Sequence, residues 1–169
     1  MLVVVMILLS LFTIIIFSML DTSVMERLIS RNSRDAEQAF QLAEGAVYLG
    51  AEQIYQVLLR DYRTVENLPA TIQLEQSSFH DSVKGQSLQM DITNPRLIEQ
   101  CSDYCLYEFT GQGRCPPAES RLKVQVQFDY LQYYFIQYGE DGSVTGMTFT
   151  HRDFMDRGKI VRMEKELEN

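Results

Sequence analysis

The chain contains no tryptophan, and its only imidazoles are His80 and His151. Two histidines leave little for metal or acid–base chemistry, and no H-E-x-x-H, G-x-S-x-G or P-loop pattern is present. Acids outnumber bases to a net charge of -8, which disfavours a nucleic-acid binder and suits a solvated, exposed head. Proline is absent before Pro69, so nothing interrupts a helix over the first third of the chain. Cysteine is scarce and clustered, with Cys101, Cys105 and Cys115 inside one 15-residue stretch. Their spacing fits no standard zinc site and no C-x-x-C redox motif. An odd number allows one disulfide and one free thiol, or an intermolecular bridge. The sequence offers no catalytic constellation and no cofactor site, and we expect a non-enzymatic protein.

What is present begins with a long apolar run. Met1 to Leu20 carries no charge, and its only polar side chains are Ser10, Thr13 and Ser18. Twenty such residues rise about 30 Å as a helix, the thickness of a bilayer's hydrocarbon core. There is no charged n-region and no A-x-A pattern, so the run reads as a retained anchor and not a removed signal. No Lys or Arg precedes it, whereas Arg27, Arg31 and Arg34 follow. The positive-inside rule alone would put the head in the cytoplasm.

Helical spacing continues past the anchor. Ala36, Ala39, Phe40, Ala43, Ala46, Val47, Gly50, Ile54, Val57 and Leu58 form a stripe expected to pack on the sheet of the head. One helix from Met1 to about Arg60 would be roughly 90 Å long. The chain therefore divides into an anchor over 1–20, an amphipathic continuation over 21–68, and a β-rich head over 69–169. About 100 residues suffice for one small domain.

In the head, period-two alternation marks strands at 71–75, 86–92, 104–110, 121–129, 131–138 and 143–150, with a last edge strand at 159–163. Asp81 to Gly85 and Gly111-Gln112-Gly113 read as turns, His151 to Gly158 as a polar connection, and Gly139 to Gly142 as a hairpin turn. Leu122, Val124, Val126 and Phe128 should face the core. The tyrosines Tyr130, Tyr133, Tyr134 and Tyr138 are expected to pack in the core and across strands. The fold class is α+β: a long N-terminal helix on a small antiparallel sheet.

Two polar motifs follow the anchor, Arg31-Asn32-x-Arg34-Asp35 and then Ala39-Phe40-Gln41-Leu42-Ala43-Glu44. Over residues 1 to about 58 the chain resembles the N-terminal region of PilX-type accessory (minor) pilins of type IV pili. The resemblance implies cleavage by prepilin peptidase, N-methylation, and a head outside the inner membrane, contrary to the arginine rule. It implies a structural subunit that helps prime or complete a pilus and then resides in the pilus at the cell surface. Its partners would be other pilins, pilus assembly proteins and inner-membrane lipid, with no nucleic acid. Met1, Val5, Leu8, Phe12, Ile16 and Leu20 would sit first in the bilayer and then in the fibre core. Major pilins carry glutamate at mature position five; Val5 at that place, counted from Met1, resembles a subunit near the tip. The rivals are an anchored adhesion module that never polymerises and an anchored enzyme using His80, His151 and the cysteine loop.

Overall fold

A computed structural model describes residues 2–75, 77–83 and 86–166. One helix, α1 (Leu2–Asp61), runs for 60 residues without a break. It is followed by β1 (Ser78–Val83), β2 (Gln86–Ile92), β3 (Arg96–Gln100), β4 (Tyr104–Cys115), β5 (Ala118–Tyr138), β6 (Val144–Phe154) and β7 (Lys159–Lys165). The seven strands form one curled antiparallel sheet in the order β1-β2-β4-β5-β6, with β3 beside β4 and β7 beside β5. The architecture is α+β, with the second half of α1 laid across the sheet.

The two halves of α1 differ in surroundings. Every described side chain from Val5 to Arg34 is exposed. This helix is long and apolar enough to cross a membrane. Thr13 Oγ1 donates to Leu9 O at 2.7 Å and Thr22 Oγ1 to Ser18 O at 2.9 Å, so these hydroxyls are satisfied within the helix, as a hydrocarbon environment requires. From residue 35 a buried stripe begins: Asp35, Ala39, Ala43, Ala46, Val47, Gly50, Ile54 and Leu58. The expected stripe matches this in the main, but Ala36 is exposed and Asp35 buried, Phe40 and Val57 are half-buried, and Ala51 is buried as well.

Helix and sheet meet through glycine. A Cβ on Gly113 would lie 2.2 Å from Ala39 O and 2.4 Å from Ala43 N, and one on Gly111 would lie 2.9 Å from Ala43 O. Gly111-Gln112-Gly113 is therefore no turn but the middle of β4, where the missing side chains let the helix backbone touch the strand. The spacing matches as well. Alternate strand residues are about 6.6 Å apart and i,i+4 helix residues about 6 Å, so the same-face residues of β4 track the helix stripe. The strand runs antiparallel to the helix, from Phe109 against Gly50 down to Gly113 against Ala39.

Other expectations are corrected in detail. The helix stops at Asp61, beside the expected end near Arg60, and residues 62–68 of the 21–68 segment form a loop. Residues 71–75 form no strand: Thr71 makes an isolated bridge to Arg96, and Ile72 and Leu74 pack on the core as loop. Asp81 to Val83 belongs to β1, while Lys84 and Gly85 lie outside the described residues. No turn separates 121–129 from 131–138; they are one 21-residue strand. His151 to Phe154 extends β6 instead of linking it to β7.

Candidate functional site

The core face of β5 carries Leu122, Val124, Val126 and Phe128, all buried against the helix. The strand alternates correctly as far as Tyr130, and then its surroundings end. Arg152 of β6, fully buried, closes the core at this level. Its Nη2 donates to Val65 O at 2.8 Å and to Glu66 O. Its guanidinium lies 4.8 Å from the centre of the Tyr130 ring and 5.3 Å from that of Phe149, so aromatic faces meet the charge where oxygen does not. Arg152 N also donates to Arg63 O at 2.8 Å. The loop after the helix is thus clasped to the root of a hairpin.

Beyond Arg152 the hairpin of β5 and β6 stands alone. Leu131–Tyr138 pairs with β6 on one edge, and no described strand lies along the other. Arg152, opposite Gln132, is held by Arg63, Val65 and Glu66 of the loop after α1, so this arm extends past that loop. Both its faces carry exposed apolar side chains. Tyr134, Ile136, Tyr138 and Met147 lie on one face and Tyr133 and Phe135 on the other, with Phe135 and Tyr138 each 65% exposed. The expectation for the tyrosines holds in part: Tyr130 is core, donating from its hydroxyl to Cys101 O at 2.6 Å, and Tyr133 and Tyr134 pack across strands on His151 and Phe149. Tyr133, Tyr134 and Tyr138 are exposed on the arm. Tyr133 stacks on His151 with ring centres 4.5 Å apart. At the tip, Asp141 accepts from Ser143 N and Oγ, which holds its carboxyl below the usual range, and Gly142 takes φ +77.

The remaining sequence-derived residues are dispersed. Met1 lies outside the described residues; Val5, Leu8, Phe12, Ile16 and Leu20 are all exposed along the free half of α1. Of the polar motifs, Arg31, Asn32, Arg34 and Gln41 are exposed, Phe40 and Glu44 half-buried, and Asp35, Ala39 and Ala43 buried. Asp35 is 3.8 Å from Arg31 Nε at the foot of the sheet, near the end of β4. His80 on β1 bonds to Ser78 at 3.3 Å, far across the sheet order from His151 on β6. Among the described residues no group of three His, Cys, Asp or Glu side chains could hold a metal.

All three cysteines, for which the sequence allows a disulfide, are free thiols in this structure. Cys105 and Cys115 sit ten residues apart on the same strand, about 33 Å. Cys105 opposes Gln100, and Cys101 is the next residue along, so the side chains of Cys101 and Cys105 leave opposite faces of the sheet. Burial pushes the Cys105 thiol up to about 12, and burial also raises Cys115. We expect N-ethylmaleimide at pH 7.5 to label Cys101 in the native head and to spare Cys105 until denaturation. Labelling of Cys105 at an equal rate, read by mass spectrometry of peptides, would contradict its burial.

No family model, no curated protein and no solved structure matches the chain.

Proposed function

We propose that this protein is a minor, accessory pilin: a non-enzymatic subunit that helps prime or complete assembly of a type IV pilus or related filament. The observation that carries the reading is the single unbroken helix α1. One half begins as a run apolar all round whose described side chains are exposed, and the other half is fused to a sheet through Gly111 and Gly113. A helix so divided can lie in a bilayer and later against the helices of neighbouring subunits without the head refolding. The motifs at 31–44 add the resemblance to PilX-type proteins. In this reading the head lies outside the inner membrane and then at the cell surface, and its partners are other pilins.

The test is the composition of filaments sheared from cells. Peptides of this chain should be recovered from them, and deleting the gene should reduce filament number. An Ile16→Asp chain should fail to restore assembly, since an acid mid-span costs about 3 kcal/mol or more. Normal filaments without the gene, and none of the chain in them, would overturn the reading. The exposed apolar arm favours a second reading, an anchored binding module that never polymerises; that reading requires the chain to remain in membranes while filaments are unaffected.

A further inference from the structure

The arm has two free edges, and they are not alike. On β6 the ladder to β5 skips Thr150 and Thr145, giving two bulges; bulges twist an edge away from pairing. The β5 edge has none. In β5 the even residues point their N–H and C=O groups toward β4: Tyr130 N donates to Asp103 O and Phe128 O faces Cys105. The odd residues point the other way, with Asp129 O accepting from Met155 N. Continued up the arm, this alternation leaves the backbone groups of Gln132, Tyr134, Ile136 and Tyr138 in a row along the open edge. That row is the prolongation of the line β4 occupies lower down, and β4 begins only at Tyr104. Among the described residues the fold therefore leaves a strand position open, about 23 Å long from Gln132 to Tyr138.

Charge bounds this position at both ends. Exposed Asp103 stands at its foot and Glu140 and Asp141 at its tip, while Leu131 to Gly139 is uncharged. The arm's half-exposed aromatic and aliphatic side chains offer on the order of 700 Å² of surface, near the ~800 Å² each partner gives a standard interface. We propose that the open edge of β5 between Gln132 and Tyr138 is a binding site for an extended segment of another protein. The segment adds as a strand in line with β4, about seven uncharged residues flanked by Lys or Arg. Backbone bonds would supply affinity, the apolar faces would take alternate side chains, and the acidic ends would set register. A second copy of this chain fits poorly. Antiparallel pairing of two β5 edges would point the two membrane helices in opposite directions, and its own segment carries no basic flanks. The site belongs to the head alone and stands whether or not the anchor enters a filament.

The experiment uses the full chain in detergent micelles and a synthetic probe, an alternating Val-Thr octapeptide with lysine at each end. The peptide should bind, and amide exchange should slow at Gln132, Tyr134, Ile136 and Tyr138 while Val144 to Thr150 is unchanged. Ile136→Pro removes an outward donor but no bond to β6, so it should weaken binding at least tenfold while the head's melting is retained. A glutamate-ended peptide should bind several-fold more weakly than the lysine-ended one. Because the proline variant could disturb the arm, the exchange pattern of the unaltered chain is decisive on its own. No binding, protection on the β6 edge, or protection from self-association without peptide would each overturn the proposal.

Discussion

Gly113→Ala should lower the stability of the head by about 3 kcal/mol, at the upper end of the usual cost of overpacking. The added methyl would meet Ala39 O at 2.2 Å and Ala43 N at 2.4 Å, both helix backbone. No side chain can swing aside, so the helix must lift from β4 along its length. Ala39 and Ala43, fully buried beneath it, would lose contact together. For a head of roughly 100 residues this is a fall in Tm of about 12–24 °C. Gly45→Ala is the matched opposite. Its Cβ would find only Met90 Sδ at 3.5 Å, an ordinary contact. That substitution should stabilise the helix by about 1 kcal/mol through propensity alone. Thermal melting of the two variants by circular dichroism gives the comparison. Equal or like-signed shifts would mean that the helix does not sit on Gly113 as described.

The second large effect is expected at Arg152. Replacing it with alanine removes the donor to Val65 O and Glu66 O and the cation between Tyr130 and Phe149. Hydrogen bonds to charged groups contribute about 1.5–3 kcal/mol each, and the vacated volume adds to the loss. A decrease of about 3–4 kcal/mol follows, with the loop at 62–68 released from the root of the arm. Arg152→Lys should recover only part of the loss, because an ammonium keeps donors for the two carbonyls but lacks the planar guanidinium that lies against Tyr130 and Phe149. Arg157→Ala gives the contrast. Its partner Glu52 is 3.8 Å away and Arg157 is exposed, so the change should stay within about 0.5 kcal/mol. Urea unfolding of the three variants measures all of this. A wild-type midpoint for Arg152→Ala would refute its role as the clasp.

Much of the architecture was legible because it is local. An uncharged run, an Ala-rich repeat and the absence of proline define α1 without reference to anything else. The alternation of Leu122, Val124, Val126 and Phe128 likewise specifies one face of β5. What was hidden depends on contacts distant in sequence. Gly111 and Gly113 look like turn residues, and only the helix backbone resting on them explains their place in a strand. Asp35 is in phase with Ala39 and Ala43 by helical spacing, but its charge argued for solvent, so the stripe was started one residue late. Arg152 shows no sign of burial in HRDF; rings from two strands and carbonyls from the post-helix loop create its site. The strands expected at 121–129 and 131–138 are one strand, β5. No turn chemistry separates them, and the fused strand is what carries the arm past the loop after α1.

The reading as a filament subunit turns most directly on the N-terminus of the protein in native membranes. Intact mass and N-terminal sequencing should find a first residue produced by proteolytic trimming and carrying an N-methyl group. An untrimmed, unmethylated start would contradict it, leaving α1 as an ordinary single-pass anchor and the arm as the business end of a binding module.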